Sequence, residues 1–219
     1  MSFEKQILSR RKLLVVGAAV GVVGSLGRAL AQPVLRRTPD QVMGPFWPTA
    51  AMPDRSGDLT RVPGRPGRAQ GQLLHVMGRV LGRDGKPVAG AKLEVWQANS
   101  FGRYDHPSDM NSAPLDPNFE GFGEFLTDVN GRYHFETVKP GKYPAGKSVR
   151  PPHIHFEITG HIDRLVTQMY FDGEPDNADD QWLHSTSRPE ALIVPLQPPL
   201  AEFEPESRLA IFDIVLTTG

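Results

Sequence analysis

Arg150-Pro151-Pro152-His153-Ile154-His155-Phe156-Glu157-Ile158 reads as a β-strand reached through two stiff prolines. Side chains alternate across a strand, so His153, His155 and Glu157 share one face while Ile154, Phe156 and Ile158 share the other. The second face is that of a buried core. Two imidazoles side by side on the first are well placed to grip one metal ion, although an isolated His-x-His is more often the polar edge of a strand. The rest of the chain decides between the two.

Of 219 residues, 22 are Gly and 21 are Pro, and none is Cys. Short apolar runs between so many turn formers indicate short strands rather than long helices. Without cysteine there is no disulfide and no thiolate ligand, so a metal would be held by nitrogen and oxygen donors.

Near the amino terminus, Ser9-Arg10-Arg11-Lys12-Leu13-Leu14 opens an apolar run to Leu26, and Ala29-Leu30-Ala31 follows as a small-x-small cleavage pattern. Residues 1–31 resemble a twin-arginine export signal, which implies a periplasmic or extracellular protein that meets a membrane only during export. The apolar run is shorter than the roughly 20 residues of a spanning helix. Removing 1–31 takes Lys5, Arg10, Arg11, Lys12, Arg28 and Glu4 from 24 basic and 25 acidic residues, leaving 19 and 24, a formal charge of −5. A mildly acidic chain with no basic run gives no reason to expect a nucleic-acid partner.

Residues 32–70, rich in Pro, Arg and Gly around Gly44-Pro45-Phe46-Trp47-Pro48, read as an extended arm. A domain over 71–219 follows. Strands are expected at Leu73–Val80, Ala91–Gln97, Glu124–Val129, Arg132–Val138, Pro152–Thr159, Arg164–Phe171 and Arg208–Leu216, with tight turns at Asp84-Gly85 and Asn130-Gly131. The pattern predicts an all-β, antiparallel β-sandwich. Two long loops interrupt it, Asn99–Phe122 and Lys139–Arg150, and loops longer than a turn requires tend to carry function. The second contains no Asp or Glu; its one ionisable oxygen is that of Tyr143, with Tyr104 as its counterpart in the first. A free phenol has a pKa near 10, so tyrosinate ligation needs a strongly Lewis-acidic ion, of which ferric iron is the natural candidate.

Six stretches then occur together and in order: Leu93-Glu94-Val95-Trp96-Gln97-Ala98-Asn99, Gly102-Arg103-Tyr104, Asp116-Pro117-Asn118-Phe119, Gly141-Lys142-Tyr143-Pro144, Arg150-Pro151-Pro152-His153-Ile154-His155 and Leu165-Val166-Thr167-Gln168-Met169-Tyr170-Phe171. Over about residues 73–175 the chain resembles intradiol ring-cleavage dioxygenases, with its nearest likeness to the β chains of protocatechuate 3,4-dioxygenases. That resemblance implies non-haem Fe(III) held by Tyr104, Tyr143, His153 and His155. It also implies a catechol-type substrate, O2 as co-substrate, and a muconate-type diacid as product. By the same resemblance, Tyr143 is the ligand that leaves when substrate arrives. Arg150 matches an arginine that stabilises negative charge on the ring, and Gln168 matches a glutamine that orients Arg150 or substrate. Gln168 also reads as an ordinary polar strand residue. In the nearest relatives a tryptophan follows Tyr-Pro where Ala145 stands here, and the loop to His153 is shorter, which implies a wider or differently shaped pocket. Part of that pocket comes from a homologous partner chain in protocatechuate enzymes, so either such a pairing or a homo-oligomer is expected.

Two rivals compete with this reading. The hairpin pattern around Asp84-Gly85 and Asn130-Gly131 is also similar to transthyretin-like and carboxypeptidase-regulatory-like binding modules, which have no reason to combine Tyr104 and Tyr143 with His153 and His155. A zinc or copper site is disfavoured by two phenolates and by the absence of Cys. Of the remaining residues, His75 and His134 read as strand histidines, His106, His161 and His184 as loop histidines, Tyr133 and Tyr170 as strand aromatics, and the acidic run from Asp172 to Asp180 as a solvated loop.

Overall fold

The computed structural model describes residues 34–48 and 56–218; the export signal expected over 1–31 lies outside them. One sheet is built on the long strand β1 (Leu73–Gly82). After β2 (Lys92–Trp96) and β3 (Phe122–Leu126), the chain returns as β4 (Arg132–Val138), which lies antiparallel to β1 from Leu73↔Val138 to Arg79↔Arg132. The opposite edge of β1 is shared end to end by β10 (Arg208–Ile211) and β11 (Ile214–Leu216), both parallel to it. Sequence pattern had indicated a single strand over 208–216. It is broken because the Phe212 carbonyl turns to accept the Tyr133 hydroxyl and the Asp213 carboxylate accepts the Arg79 amide at 2.9 Å.

The second sheet has the order β3-β2-β7-β8-β9, where β7 is His153–Thr159, β8 is Arg164–Phe171 and β9 is Ile193–Val194. Its β8–β9 pairing is also parallel, so the two sheets are mixed rather than purely antiparallel. They close on one apolar layer in which Val76, Val80 and Phe135 meet Val95, Ile154, Phe156 and Met169. Such side chains each contribute about 1.5–3 kcal/mol when fully buried. The fold is an all-β sandwich with long loops and an extended arm.

The strand β7 sits between β2 and β8, and every residue from His153 to Ile158 is buried. Its inner face is Ile154, Phe156 and Ile158, as alternation requires. Its other face is covered as well: Trp96, Ala98, Tyr104 and Tyr143 form a smaller cluster there, against which Met43, Phe46 and Trp47 of the arm pack. The arm is fastened along the domain, with the Thr38 amide on the Val215 carbonyl, the Gln41 amide on that of Val166, and Leu59 inserted in the core.

The loop over 139–150 contains a short ribbon, β5 (Tyr143–Ala145) paired with β6 (Ser148–Arg150), so Tyr143 lies opposite Arg150. Three short 3-10 helices, Pro175–Asp179, Leu183–Ser185 and Pro189–Leu192, follow β8. Here the acidic run departs from the solvated loop expected of it. Glu174 pairs with Lys139, Asp176 pairs with Lys142 at 2.9 Å, and Asp180 is buried. The Asn177 side-chain amide, bonded at 2.8 Å to the Phe171 carbonyl, folds this segment back toward the sheet.

Candidate active site

Three segments bring the predicted donors together. β7 supplies His153 and His155, the ribbon supplies Tyr143, and the loop after β2 supplies Tyr104. The two loops meet where neither can carry a side chain: a Cβ on Gly102, whose φ is +80°, would overlap the Lys142 carbonyl, and the Gly141 amide bonds to the Asn99 carbonyl at 2.9 Å. The Asn99 side-chain oxygen accepts the amides of Phe101 and Arg103, and the Asp109 carboxylate accepts the Tyr104 amide at 2.8 Å. These bonds fix the loop that presents Tyr104.

The His153 Nε2 atom lies 3.2 Å from His155 Nε2 and 3.5 Å from Tyr143 Oη. The Tyr104 ring stands edge-on to that of Tyr143, centroids 5.4 Å apart, and 6.4 Å from the His155 ring. All four side chains are buried. His153 Nδ1 donates to the Pro151 carbonyl at 2.7 Å, so its Nε2 presents a lone pair to the cluster. Trp96 stacks on His155 at 4.7 Å, holding the other imidazole. Burial, with Arg150 nearby, drives both imidazoles well below the ordinary histidine range, so they are neutral ligands. Burial likewise raises Tyr104, reinforced by the Tyr143 phenol, and raises Tyr143 itself despite Arg150. The protein alone therefore holds neutral phenols.

Whether these residues fit a ferric ion rests on one further detail. Tyr104 Oη is buried, and the polar group it faces is the Tyr143 phenol, itself a member of the cluster, so no described group outside the donor set satisfies it. Two neutral imidazole nitrogens directed at one another, a phenol beside them and a second phenol facing the first form a donor set that a strongly Lewis-acidic cation satisfies. The residues fit the group.

Next to the donors stands a second buried network. Arg150 Nε donates to Asp180 at 2.7 Å, and its Nη2 donates to Gln168 Oε1 at 2.8 Å and to Tyr170 Oη at 3.0 Å. Gln168 in turn donates from Nε2 to the Val42 carbonyl of the arm at 2.7 Å. The indole of Trp182 lies 4.4 Å from the guanidinium carbon. Gln168 is thus bonded to Arg150 and to the arm. From sequence Tyr170 reads as a strand aromatic and Asp180 as part of a solvated acidic loop, and the structure places both, with Trp182, around Arg150. Tyr170 was readable from register, since it lies opposite His153 and Gln168 lies opposite His155. Asp180 and Trp182 gave no such signal.

The other predicted features lie elsewhere. Glu157 shares the histidine face but pairs with Arg164 at its far end. His75 and His134 are strand histidines of the first sheet, 3.2 Å apart, beside Glu136 and Glu204; Arg68 pairs with both carboxylates and fills the place a cation would take.

A family model described as a dioxygenase matches residues 42–218, nearly all of the described chain. The chain belongs to the intradiol dioxygenase family. It is 50% identical over 139 residues to a protocatechuate 3,4-dioxygenase beta chain of Burkholderia cepacia, an alignment covering 61% of this chain and 58% of that one. It is 34% identical over 158 residues to catechol 1,2-dioxygenase 2 of Acinetobacter lwoffii, covering 65% and 54%. The chain therefore spans a little over half the length of these curated relatives. Among solved structures, the dioxygenase domain of a dioxygenase carbohydrate-binding fusion from Streptomyces sp. SirexAA-E is similar, with a TM-score of 0.64 and 30% identity over 84% of this chain and all of that one. Four of the six stretches that carry the resemblance supply residues of this site: Tyr104, Tyr143, Arg150 with His153 and His155, and Gln168.

Proposed function

We propose that this intradiol dioxygenase cleaves a catechol-type aromatic between its two hydroxylated carbons with O2, giving a cis,cis-muconate-type diacid. Ferric non-haem iron would be held by Tyr104, Tyr143, His153 and His155. The observation that carries the reading is the convergence of two buried phenols and two neutral imidazoles, with the Tyr104 hydroxyl facing no described group outside that set. Iron bound there supplies a Lewis acid able to ionise the phenols and to make a chelated diol susceptible to O2.

The chain's own residues do the rest. Tyr143 borders the adjoining cavity, so its phenolate, formed on a bound metal, would be placed to take a proton from an arriving diol. Arg150, on the same wall, places a fixed positive charge where the ring acquires negative charge. Gln168, Tyr170 and Asp180 hold that guanidinium in one orientation, so little reorganisation is needed when the substrate ionises. Gly44 and Phe46 of the arm close over His155 and Tyr104, which keeps bulk water from the donors. The transthyretin-like alternative offers no account of this donor set.

Export by the twin-arginine route to the periplasm or beyond, and assembly with itself or with a homologous chain, complete the proposal; the support for these is the Arg10-Arg11 segment and the beta-chain relative. Iron analysis and the visible spectrum test the site. One Fe per chain with a red-brown tyrosinate-to-iron band that shifts on anaerobic addition of catechol is the expected result. A protein that stays colourless after reconstitution with iron would overturn it.

A further inference from the structure

A cavity of about 420 Å3 opens beside Tyr143 and Arg150. Benzene fits a cavity of roughly 150 Å3, so a catechol ring leaves more than half of this one unfilled. Its walls are Val42, Pro45 and Phe46 from the arm, Ala145 and Pro144 from the ribbon, and Trp182, with Met110 at the mouth. Among the described residues that line it, two carry charge. Arg150 is one, and its charge is matched by Asp180, whose side chain is 0% exposed. The other is Asp109, an anion. A carboxylate on the ring would enter a mostly apolar chamber whose one described cation, Arg150, already faces the ring, with Asp109 unfavourable to it and only the neutral Ser108 and Asn111 beside it, and an anion moved from water without a cationic partner is disfavoured.

We propose that the cavity selects catechols bearing an uncharged, apolar substituent as large as a second ring, in preference to catechol itself and to carboxylated catechols. This rests on the proposed ring-cleavage reading and narrows its substrate. Ala145 is the residue that leaves the room: it lies on the cavity wall directly after Tyr143-Pro144, and a large side chain there would fill the space a substituent needs.

The test is a panel of catechol, 4-butylcatechol, 4-phenylcatechol and protocatechuate, run on the iron-loaded protein. Both kcat/KM and the anaerobic Kd are measured, the latter from quenching of tryptophan fluorescence, which Trp182 on the cavity wall makes sensitive to occupancy. Expected is a kcat/KM at least about tenfold higher for the two apolar catechols than for catechol, a parallel gain in affinity, and a value for protocatechuate about tenfold or more below catechol. Ala145→Trp should erase the gain for the large substrates. Met110→Lys, at a position 90% exposed and so tolerant of charge, should raise protocatechuate relative to catechol by about fivefold. Protocatechuate as the best substrate, or equal Kd values across the panel, would overturn the inference while leaving ring cleavage intact. Failure to bind or open any catechol would overturn the ring-cleavage reading itself.

Discussion

Asp180→Asn is the substitution whose consequences follow most directly from geometry. The Asp180 carboxylate is 2% exposed as a residue, takes Arg150 Nε at 2.7 Å with one oxygen and the Leu183 amide at 2.7 Å with the other. Asparagine keeps the shape and the Leu183 bond and removes the charge. Arg150 is then a buried cation held by the neutral oxygens of Gln168 and Tyr170 and by the face of Trp182, with no anion beside it. Breaking a buried pair from one side costs about 3–5 kcal/mol. For a chain of this size each kcal/mol lowers the melting temperature by about 2–4 °C, so Asp180→Asn should melt roughly 6–20 °C below the parent. Circular dichroism on the parent, on Asp180→Asn, on Arg150→Met and on Arg150→Met/Asp180→Asn gives a double-mutant cycle. The double variant, with no charge left unpaired, should recover most of the loss. A drop below about 2 °C for Asp180→Asn would mean that Arg150 finds its compensation elsewhere, and the positioning role of Asp180 would be abandoned.

Other outcomes are equally direct. His155→Ala should leave purified protein essentially free of iron after reconstitution; normal iron content would refute its assignment as a ligand. Tyr143→Phe should retain the fold, weaken and shift the visible band, and slow turnover by about 10²–10⁴-fold, and an unchanged spectrum at full rate would contradict its role. Gly44, at φ +77° with its would-be Cβ 3.1 Å from His155 Cε1, should lose about 1–2 kcal/mol as Gly44→Ala, read from denaturant unfolding. Burial, with His75 next to it, holds the His134 pKa below its unfolded value. The unfolded chain therefore binds the extra proton first, and this contribution to stability is complete above the ordinary histidine pKa near 6.5 and lost as pH falls through the folded value. His134→Gln should flatten that part of the acid limb in melting curves taken at a series of pH values.

Much of this architecture was legible because it rests on local rules. The alternation along His153–Ile158 assigns core and site faces in one step, and the Gly-containing turns mark the hairpins. What escaped the sequence depended on contacts distant along the chain. Asp180 looked like one more acidic residue in a polar loop, since nothing local shows that Asn177 folds that loop back onto Arg150. The parallel pairing of the carboxyl-terminal strands with β1 escaped for a related reason: strand propensity carries no information about partner. Tyr170 is the intermediate case, predicted as a strand aromatic and placed at the site by the register of β8 against His153. The arm reads from sequence as an extended segment lying over the domain or a neighbouring subunit, and the burial of Leu59 and the seating of Gly44 against His155 follow only from the assembled sandwich.

The ribbon that carries Tyr143 has two unlike ends. At its base, Tyr143 faces Arg150, which is held by Asp180, Gln168 and Tyr170; at its tip, a side chain at Gly146 would meet open space. Ala145, which borders the cavity, stands between the two. One three-residue strand thus separates two demands usually in conflict: the volume offered to a substituent is set near the tip, while the charge and the phenol beside the donors are fixed at the base by contacts that a change at Ala145 leaves untouched.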